Sequence, residues 1–294
     1  MKIVIADNME GEVVAEMSRL GHVEYKPKDL NASLIDAEVL VVRSATKVTA
    51  ELLKNAPKLK IVARGGVGLD TIDVKECEKR KITVINTPGA STNAVAELAI
   101  ALMFALGRQI PRADALMRQK MWAKKDLTGS ELAGKTLGII GFGRIGSFVG
   151  RKAHALGMKV LYYNDVEVKC DYEVKKETLE NVLKLSDFVT LHVPANANTK
   201  GMINAERIAL MKPSACLVNT ARGEIVDEEA LYAALKNNKI AGAALDVYSA
   251  EPYSGKLLEL PNVVFTPHIA GSTKEAQLRI GSELVQKLKD LLAK

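Results

Sequence analysis

Thr136-Leu137-Gly138-Ile139-Ile140-Gly141-Phe142-Gly143-Arg144-Ile145-Gly146 is a short apolar run that ends in a spaced set of glycines. A stretch of helical period follows through Leu156, and a second apolar run, Lys159-Val160-Leu161-Tyr162-Tyr163, comes after it. Strand, glycine turn, helix, strand is the order of a dinucleotide-binding βαβ unit. In that setting Gly141 permits the tight turn, Gly143 lets the backbone approach a pyrophosphate, and Gly146 lets the helix pack closely on the strand. Arg144 and Ile145 open the helix, whose unpaired N–H groups favour phosphate. The second strand ends at Asn164-Asp165, where an acidic side chain would accept hydrogen bonds from the adenosine ribose. Asn164 holds the position where the acid usually falls, and Asp165 comes one residue later. No arginine follows at once to pair a 2′-phosphate, and Asp165 would repel one, so the pattern predicts NAD in preference to NADP.

Similar runs recur on both sides of this unit. Strands are expected at Lys2–Ala6, Glu38–Val42, Lys60–Ala63 and Ile82–Asn86, then at Thr136–Ile140, Lys159–Tyr163, Phe188–Leu191, Cys216–Asn219, Gly242–Val247 and Val263–Phe265. Helical segments separate them, which predicts an α/β protein with two doubly wound, Rossmann-like parallel sheets. The 294 residues favour two domains over one, although a single barrel also fits the length alone. The divider is the apolar segment Thr92–Gly107, without Gly or Pro inside it and with Ser91, Thr92 or Asn93 as its N-cap. A polar stretch, Arg108–Lys135, follows. In the last segment Ile280, Leu284, Leu288, Leu291 and Leu292 share one helix face, and such a helix could return to cover the first domain.

Hydrophobic residues make up 48% of the chain and charged ones 26%, too apolar a balance for disorder. No apolar run reaches the roughly 18 to 20 residues that span a bilayer, and the N-terminus reads as a strand rather than a signal peptide. Cys77, Cys170 and Cys216 lie apart without a CxxC pair, which predicts no disulfide framework, no metal site and a reducing cytoplasm. The net charge of +6 is scattered among nearly as many acids, which argues against a nucleic-acid partner and fits a small anionic one.

Further on, four segments place polar residues where strands end, the side on which an open parallel sheet binds ligands. They are Leu191-His192-Val193-Pro194, Val218 to Gly223, Leu245 to Pro252, and Thr266 to Thr273. With Val42 to Thr49, Arg64-Gly65-Gly66-Val67-Gly68-Leu69-Asp70, Asn86-Thr87-Pro88-Gly89, Trp122 and Gly129 to Gly138, they give the chain its likeness: over essentially its whole length it resembles the D-isomer-specific 2-hydroxyacid dehydrogenases. Among these it is most similar to members that oxidise a phosphorylated three-carbon hydroxy acid. The resemblance implies a discontinuous, flavodoxin-like substrate domain of residues 1–92 plus 274–294, a cofactor domain of residues 93–273, a cleft between them, and a homodimer formed through the cofactor domain.

It also implies Arg222, Glu251 and His268 as the catalytic trio. An imidazole can take or give the hydroxyl proton near neutral pH, a carboxylate can hold that imidazole, and a guanidinium can clamp the substrate carboxylate and carbonyl with a planar fork. Asp246 is implied at the nicotinamide carboxamide. The resemblance implies that Val193, Pro194, Thr199, Thr220, Ala221, His268, Ala270 and Gly271 join the glycine motif in lining the cofactor. The N–H groups of Gly65, Gly66 and Val67 would bind the substrate carboxylate as an anion nest. Arg43, Ser44 and Lys47 would recognise a distal phosphate. The same trio serves glyoxylate and hydroxypyruvate reductases, and some family members sense NADH to engage protein partners. For the latter work the sequence offers no extra tail or basic arm.

Several residues carry plainer readings. His22 and His154 fall in helical or linker segments without catalytic neighbours, and a proline-shaped turn accounts for His192. Trp122 suits a dimer contact or the substrate site, and the helix Thr92–Gly107 suits core or interface. Ala123-Lys124-Lys125 stands where similar members carry an arginine, so a phosphate contact there would be a weaker point charge. Glu224 replaces the usual glycine after Arg222-Gly223. The chain ends soon after its last helix, so feedback through an added regulatory domain is not expected.

Overall fold

A computed structural model describes residues 1–293. The chain divides into two units, Met1–Thr92 with Gly271–Lys294, and Asn93–Ala270. In chain order the first unit runs β1 (Lys2–Ile5), α1 (Gly11–Ser18), β2 (His22–Tyr25), α2 (Leu30–Leu34), β3 (Val39–Val42), α3 (Ala50–Lys54), β4 (Ile61–Arg64), α4 (Val74–Lys79) and β5 (Thr83–Asn86). Then come α5 (Thr92–Gly107), α6 (Ile110–Arg118), β6 (Thr136–Ile140), α7 (Arg144–Ala155), β7 (Lys159–Tyr163), β8 (Lys175–Lys176), α8 (Leu179–Leu185), β9 (Phe188–Leu191), α9 (Ala205–Ile208), β10 (Cys216–Asn219), α10 (Glu228–Lys236), β11 (Gly242–Leu245) and β12 (Val263–Phe265). The last helix, α11 (Lys274–Leu292), closes the first unit.

Both sheets are parallel throughout, as the alternation of apolar runs and helices predicts. The first has the order β2-β1-β3-β4-β5, the flavodoxin arrangement. Strands β3 and β4 are buried along their whole length, because helices cover both faces, so their sequences run apolar without alternation. On one face lies α11, which fits Leu284, Val285 and Leu288 against Ile3, Ile5, Val39, Val41, Ile61 and Ala63. Burial of each such aliphatic side chain is worth about 1.5 to 3 kcal/mol, which is what holds the C-terminal segment to the N-terminal sheet. Thr273 caps the helix by accepting from the Ala276 N–H at 3.1 Å.

In the second unit the order is β12-β11-β10-β9-β6-β7-β8. From β6 the chain winds first through β7 and β8, then crosses back to β9 on the other side. The β6/β9 boundary is therefore the topological switch point, where such sheets bind ligands beyond the carboxyl ends of their strands. Helices α5 and α7 cover one face, with Ala96, Ala99, Met103, Val149 and Ala153 against Leu137, Ile139, Val160 and Val218. Helices α8, α9 and α10 cover the other.

The sequence reading missed β2 and β8. Both lie at sheet edges: β2 is half-exposed, and β8 is a pair of exposed lysines hydrogen-bonded beside Leu161 and Tyr162. His22 thus belongs to an edge strand, not to a helix or linker. Within the polar stretch after α5, α6 and a 3-10 turn at Lys124–Asp126 are helical. Among the described residues no single helix is long and apolar enough to cross a membrane.

Candidate active site

The turn after β6 shows what each glycine does. Gly141 has φ of 94°, and a Cβ built there would lie 2.6 Å from the His192 carbonyl, so the turn can close against the strand end at β9 only without a side chain. A Cβ on Gly146 would meet the Gly141 carbonyl oxygen at 2.2 Å, which fixes how tightly α7 sits on β6. On Gly143 it would meet nothing within 4 Å. That residue faces open space at the start of α7, whose first turn has no side-chain cap. Unpaired N–H groups beside an open glycine suit a pyrophosphate. A buried Thr220 hydroxyl without a hydrogen-bond partner, at the end of β10, is a second feature that a dinucleotide fits.

Asn164 does a different task from the one expected. Its side-chain oxygen accepts from the Phe142 N–H at 3.1 Å and its amide donates to the Val166 carbonyl at 3.0 Å, so it braces the glycine turn. Asp165 is exposed on the wall of a cavity of about 750 Å³ that Tyr163, Lys176, Thr178 and Arg207 also line. The Thr199 hydroxyl is likewise engaged, accepting from Asn196 N–H at 2.9 Å and donating to the Pro194 carbonyl, which shapes the loop after β9. Val193 lies against Gly141. His192 holds its Nε2 3.0 Å from the Thr190 hydroxyl, and burial pushes its imidazole down to about 3, so it stays neutral.

The three residues of the trio stand on loops that follow β10, β11 and β12. His268 Nδ1 lies 2.8 Å from Glu251 Oε2. The other Glu251 oxygen accepts from the Tyr248 N–H at 3.2 Å. His268 takes a left-handed backbone, φ 53°, uncommon for a residue with a side chain. Its N–H donates to the Asp246 carbonyl at 2.9 Å and holds the turn. Arg222 follows β10, with its carbonyl accepting from Asn219 at 2.8 Å and its guanidinium donating to the Ala221 carbonyl at 2.6 Å. A Cβ on Gly223 would lie 1.9 Å from the Tyr248 carbonyl carbon, so the turn after Arg222 abuts the loop that carries Glu251. Glu224 is exposed, and its backbone carbonyl accepts from Gly201 N–H at 2.8 Å.

Asp246 is fully buried. Its carboxylate accepts from the Thr266 hydroxyl at 2.6 Å and from the N–H groups of Ile269 and Ala270 at 2.8 and 2.9 Å. It therefore braces the loop that carries His268. Tyr248 adds a second brace, its single hydroxyl proton shared between the Leu245 and Thr266 carbonyls, 2.9 and 2.8 Å away. Burial first, and then the Asp246 charge, pushes this phenol up to about 12, so it remains a donor.

In the first unit the expected substrate residues sit at the ends of β3 and β4. Asp7, which the sequence reading passed over, organises them. Its carboxylate accepts from the Arg43 N–H at 2.6 Å, the Thr46 N–H at 3.2 Å and the Thr46 hydroxyl at 2.6 Å. The signal was an acid directly after an apolar strand. Arg43 is half-buried, donates to the Asn8 carbonyl at 3.2 Å, and lies against Gly65, while Ser44 and Lys47 are exposed. The anion nest needs correction. Gly65 N–H donates to the Val42 carbonyl at 2.8 Å and Gly66 N–H to the Arg64 carbonyl at 3.0 Å, so neither is available to a ligand. The carbonyl of Val67 accepts from Asn86 at 2.7 Å. Gly271 belongs to this unit, and its carbonyl accepts from Gln277 at 2.6 Å. Among the described residues no group of three or more His, Cys, Asp or Glu could hold a metal ion.

The chain is similar to known proteins over most of its length. Residues 100–270 match the model of the D-isomer specific 2-hydroxyacid dehydrogenase NAD-binding domain. The chain is 49% identical over 270 residues to a hydroxypyruvate reductase of Thermotoga maritima, covering 90% of this chain and 88% of that protein. It is 42% identical over 302 residues to a D-3-phosphoglycerate dehydrogenase of Methanocaldococcus jannaschii, covering 99% of this chain but only 57% of that longer protein. A crystal structure of D-lactate dehydrogenase from Aquifex aeolicus with NAD and lactic acid superposes with a TM-score of 0.90 at 34% identity, over 100% of this chain and 96% of the other.

Proposed function

The chain belongs to the D-isomer specific 2-hydroxyacid dehydrogenases, NAD(P)-dependent oxidoreductases, and from that premise we propose that it interconverts 3-phospho-D-glycerate and 3-phosphohydroxypyruvate with NAD. The observation that carries the chemistry is the contact of 2.8 Å between His268 Nδ1 and Glu251 Oε2. With Nδ1 held by a carboxylate, Nε2 is the nitrogen left for substrate. In the oxidative direction Nε2 takes the hydroxyl proton as the bond from C2 to oxygen becomes a carbonyl, and in the reductive direction it returns that proton. Arg222 holds the substrate carboxylate and steadies the developing charge on the carbonyl oxygen. A bound nicotinamide would supply or accept the hydride at C2. Gly141, Gly143, Arg144, Ile145 and Gly146 would hold its pyrophosphate, and Thr220 with Ala221 would line the ring.

Support for a phosphorylated substrate comes from Arg43, kept in a fixed loop by Asp7, and from exposed Lys47 nearby in sequence. A second reading, reduction of unphosphorylated hydroxypyruvate or glyoxylate, is favoured by the likeness to the Thermotoga protein. Steady-state turnover of phosphorylated and unphosphorylated keto acids with NADH and NADPH separates the two. A preference for the phosphorylated acid that disappears in Arg43→Ala is expected; equal turnover of both acids selects the second reading. Loss of turnover in His268→Ala with NADH binding retained tests the trio itself. We also infer a homodimer formed through the second unit, supported by the exposed apolar side chains of Phe104, Ile110, Met117, Met121 and Trp122 on and after α5 and α6, Trp122 being 80% exposed. Light scattering of the purified chain checks it.

A further inference from the structure

Glu251 is carried by a loop, and an exposed loop leaves a carboxylate free to swing. Here one side chain outside the trio grips that loop on both sides of Glu251. Glu228, the first residue of α10, accepts from the Ser249 hydroxyl at 2.7 Å with one carboxylate oxygen and from the Tyr253 hydroxyl with the other. Its own place is fixed by the helix, whose N-cap Asp227 accepts from the Ala230 N–H at 3.0 Å. Tyr253 in turn stacks on Tyr248 with ring centroids 4.5 Å apart, and Tyr248 donates its backbone N–H to Glu251 at 3.2 Å. A Cβ on Gly255 would lie 2.3 Å from the Tyr253 hydroxyl and 2.8 Å from Glu228, so the chain beyond the loop leaves room for this contact.

We propose that Glu228 is a positioning residue for the dehydrogenase reaction: by holding Ser249 and Tyr253 it fixes the Glu251 carboxylate against the His268 imidazole. The proposal rests on the reading of the trio given above. The two hydroxyls reach different atoms of one side-chain end, and both atoms accept in a carboxylate, whereas in a carboxamide one of them is an NH2 donor. Tyr253 stays a donor because burial, and then its bond to Glu228, pushes the phenol well above its ordinary value.

The test compares wild type with Glu228→Gln and, independently, with the double variant Ser249→Ala/Tyr253→Phe, which leaves the helix untouched. Turnover, NADH affinity by fluorescence, and the ring nitrogen resonances of His268 in the free protein are measured, with His268→Ala identifying its signals among the 4 histidines. Expected are a fall in kcat of about tenfold to a hundredfold, an unchanged NADH Kd, and His268 nitrogen shifts that move toward those of Glu251→Gln. Ser249→Thr, which keeps the hydroxyl, should keep most of the wild-type kcat. Ring resonances that stay at wild-type values in both Glu228→Gln and the double variant overturn the clamp, whatever happens to kcat. Wild type without turnover would sink the dehydrogenase reading instead, and the spectra would still decide the clamp.

Discussion

Replacing Gly143 with alanine adds a single methyl where a built Cβ meets no atom within 4 Å. Its backbone, φ −86° and ψ −153°, is open to alanine. The folded chain should hardly notice: the poorer N-cap costs up to about 1 kcal/mol, and reduced freedom of the unfolded chain returns about 0.4 to 1 kcal/mol. The melting temperature should move by less than about 4 °C. Dinucleotide binding should suffer, because the methyl holds the pyrophosphate away from the N–H groups of α7. Losing one such charge-assisted bond removes about 1.5 to 3 kcal/mol, so the NADH Kd should rise roughly tenfold to more than a hundredfold. Gly146→Ala makes the contrast. There the Cβ falls 2.2 Å from the Gly141 carbonyl oxygen, backbone that cannot yield, and overpacking should cost about 1 to 3 kcal/mol with a clear fall in melting temperature. Calorimetry and fluorescence titration with NADH on both variants decide the matter. Wild-type NADH affinity in Gly143→Ala would show that no phosphate approaches this backbone.

Three other outcomes are expected. Asp246→Asn sets an amide donor among the three donors its carboxylate satisfies, and should destabilise by about 1 to 3 kcal/mol or more; an unchanged melting temperature would mean that the His268 loop is held otherwise. His192 titrates near 3 when folded and near 6.5 when unfolded, so below about pH 6.5 only the unfolded state binds the proton. Stability should therefore fall as the pH drops from about 6.5 toward 3, by up to about 1.4 kcal/mol per unit. Urea unfolding of His192→Gln should show a shallower slope over that window, and an identical slope would refute it. Arg222→Lys keeps the charge but not the planar fork, and kcat/KM should fall roughly tenfold or more; wild-type kinetics would remove the proposed clamp.

What the sequence disclosed depended on how local each rule is. Gly141, Gly143 and Gly146 were readable because strand, turn and helix N-terminus are neighbours in the chain, and their spacing alone sets who meets whom. The long apolar runs of β3, β9 and β10 were readable because burial on both faces removes any need for alternation. The edge strands β2 and β8 are ordered by pairing with a neighbour: β8 is two lysines with no apolar side chain, and β2 alternates polar and apolar residues over only His22–Tyr25, too short a run to stand out.

Polar residues were harder, because their partners come from elsewhere in the chain. Gly65 looks like an anion nest until β3 lies beside β4 and the Val42 carbonyl takes its N–H. Asp246 and His268 stand at the ends of different strands, so both read as ligand contacts. A buried carboxylate must find donors, and the loop from Thr266 to Ala270 brings three of them onto Asp246, leaving the imidazole on that same loop exposed. One end of the sheet thus divides its polar residues between holding a loop and facing a ligand, and the division follows from which strands the fold sets side by side.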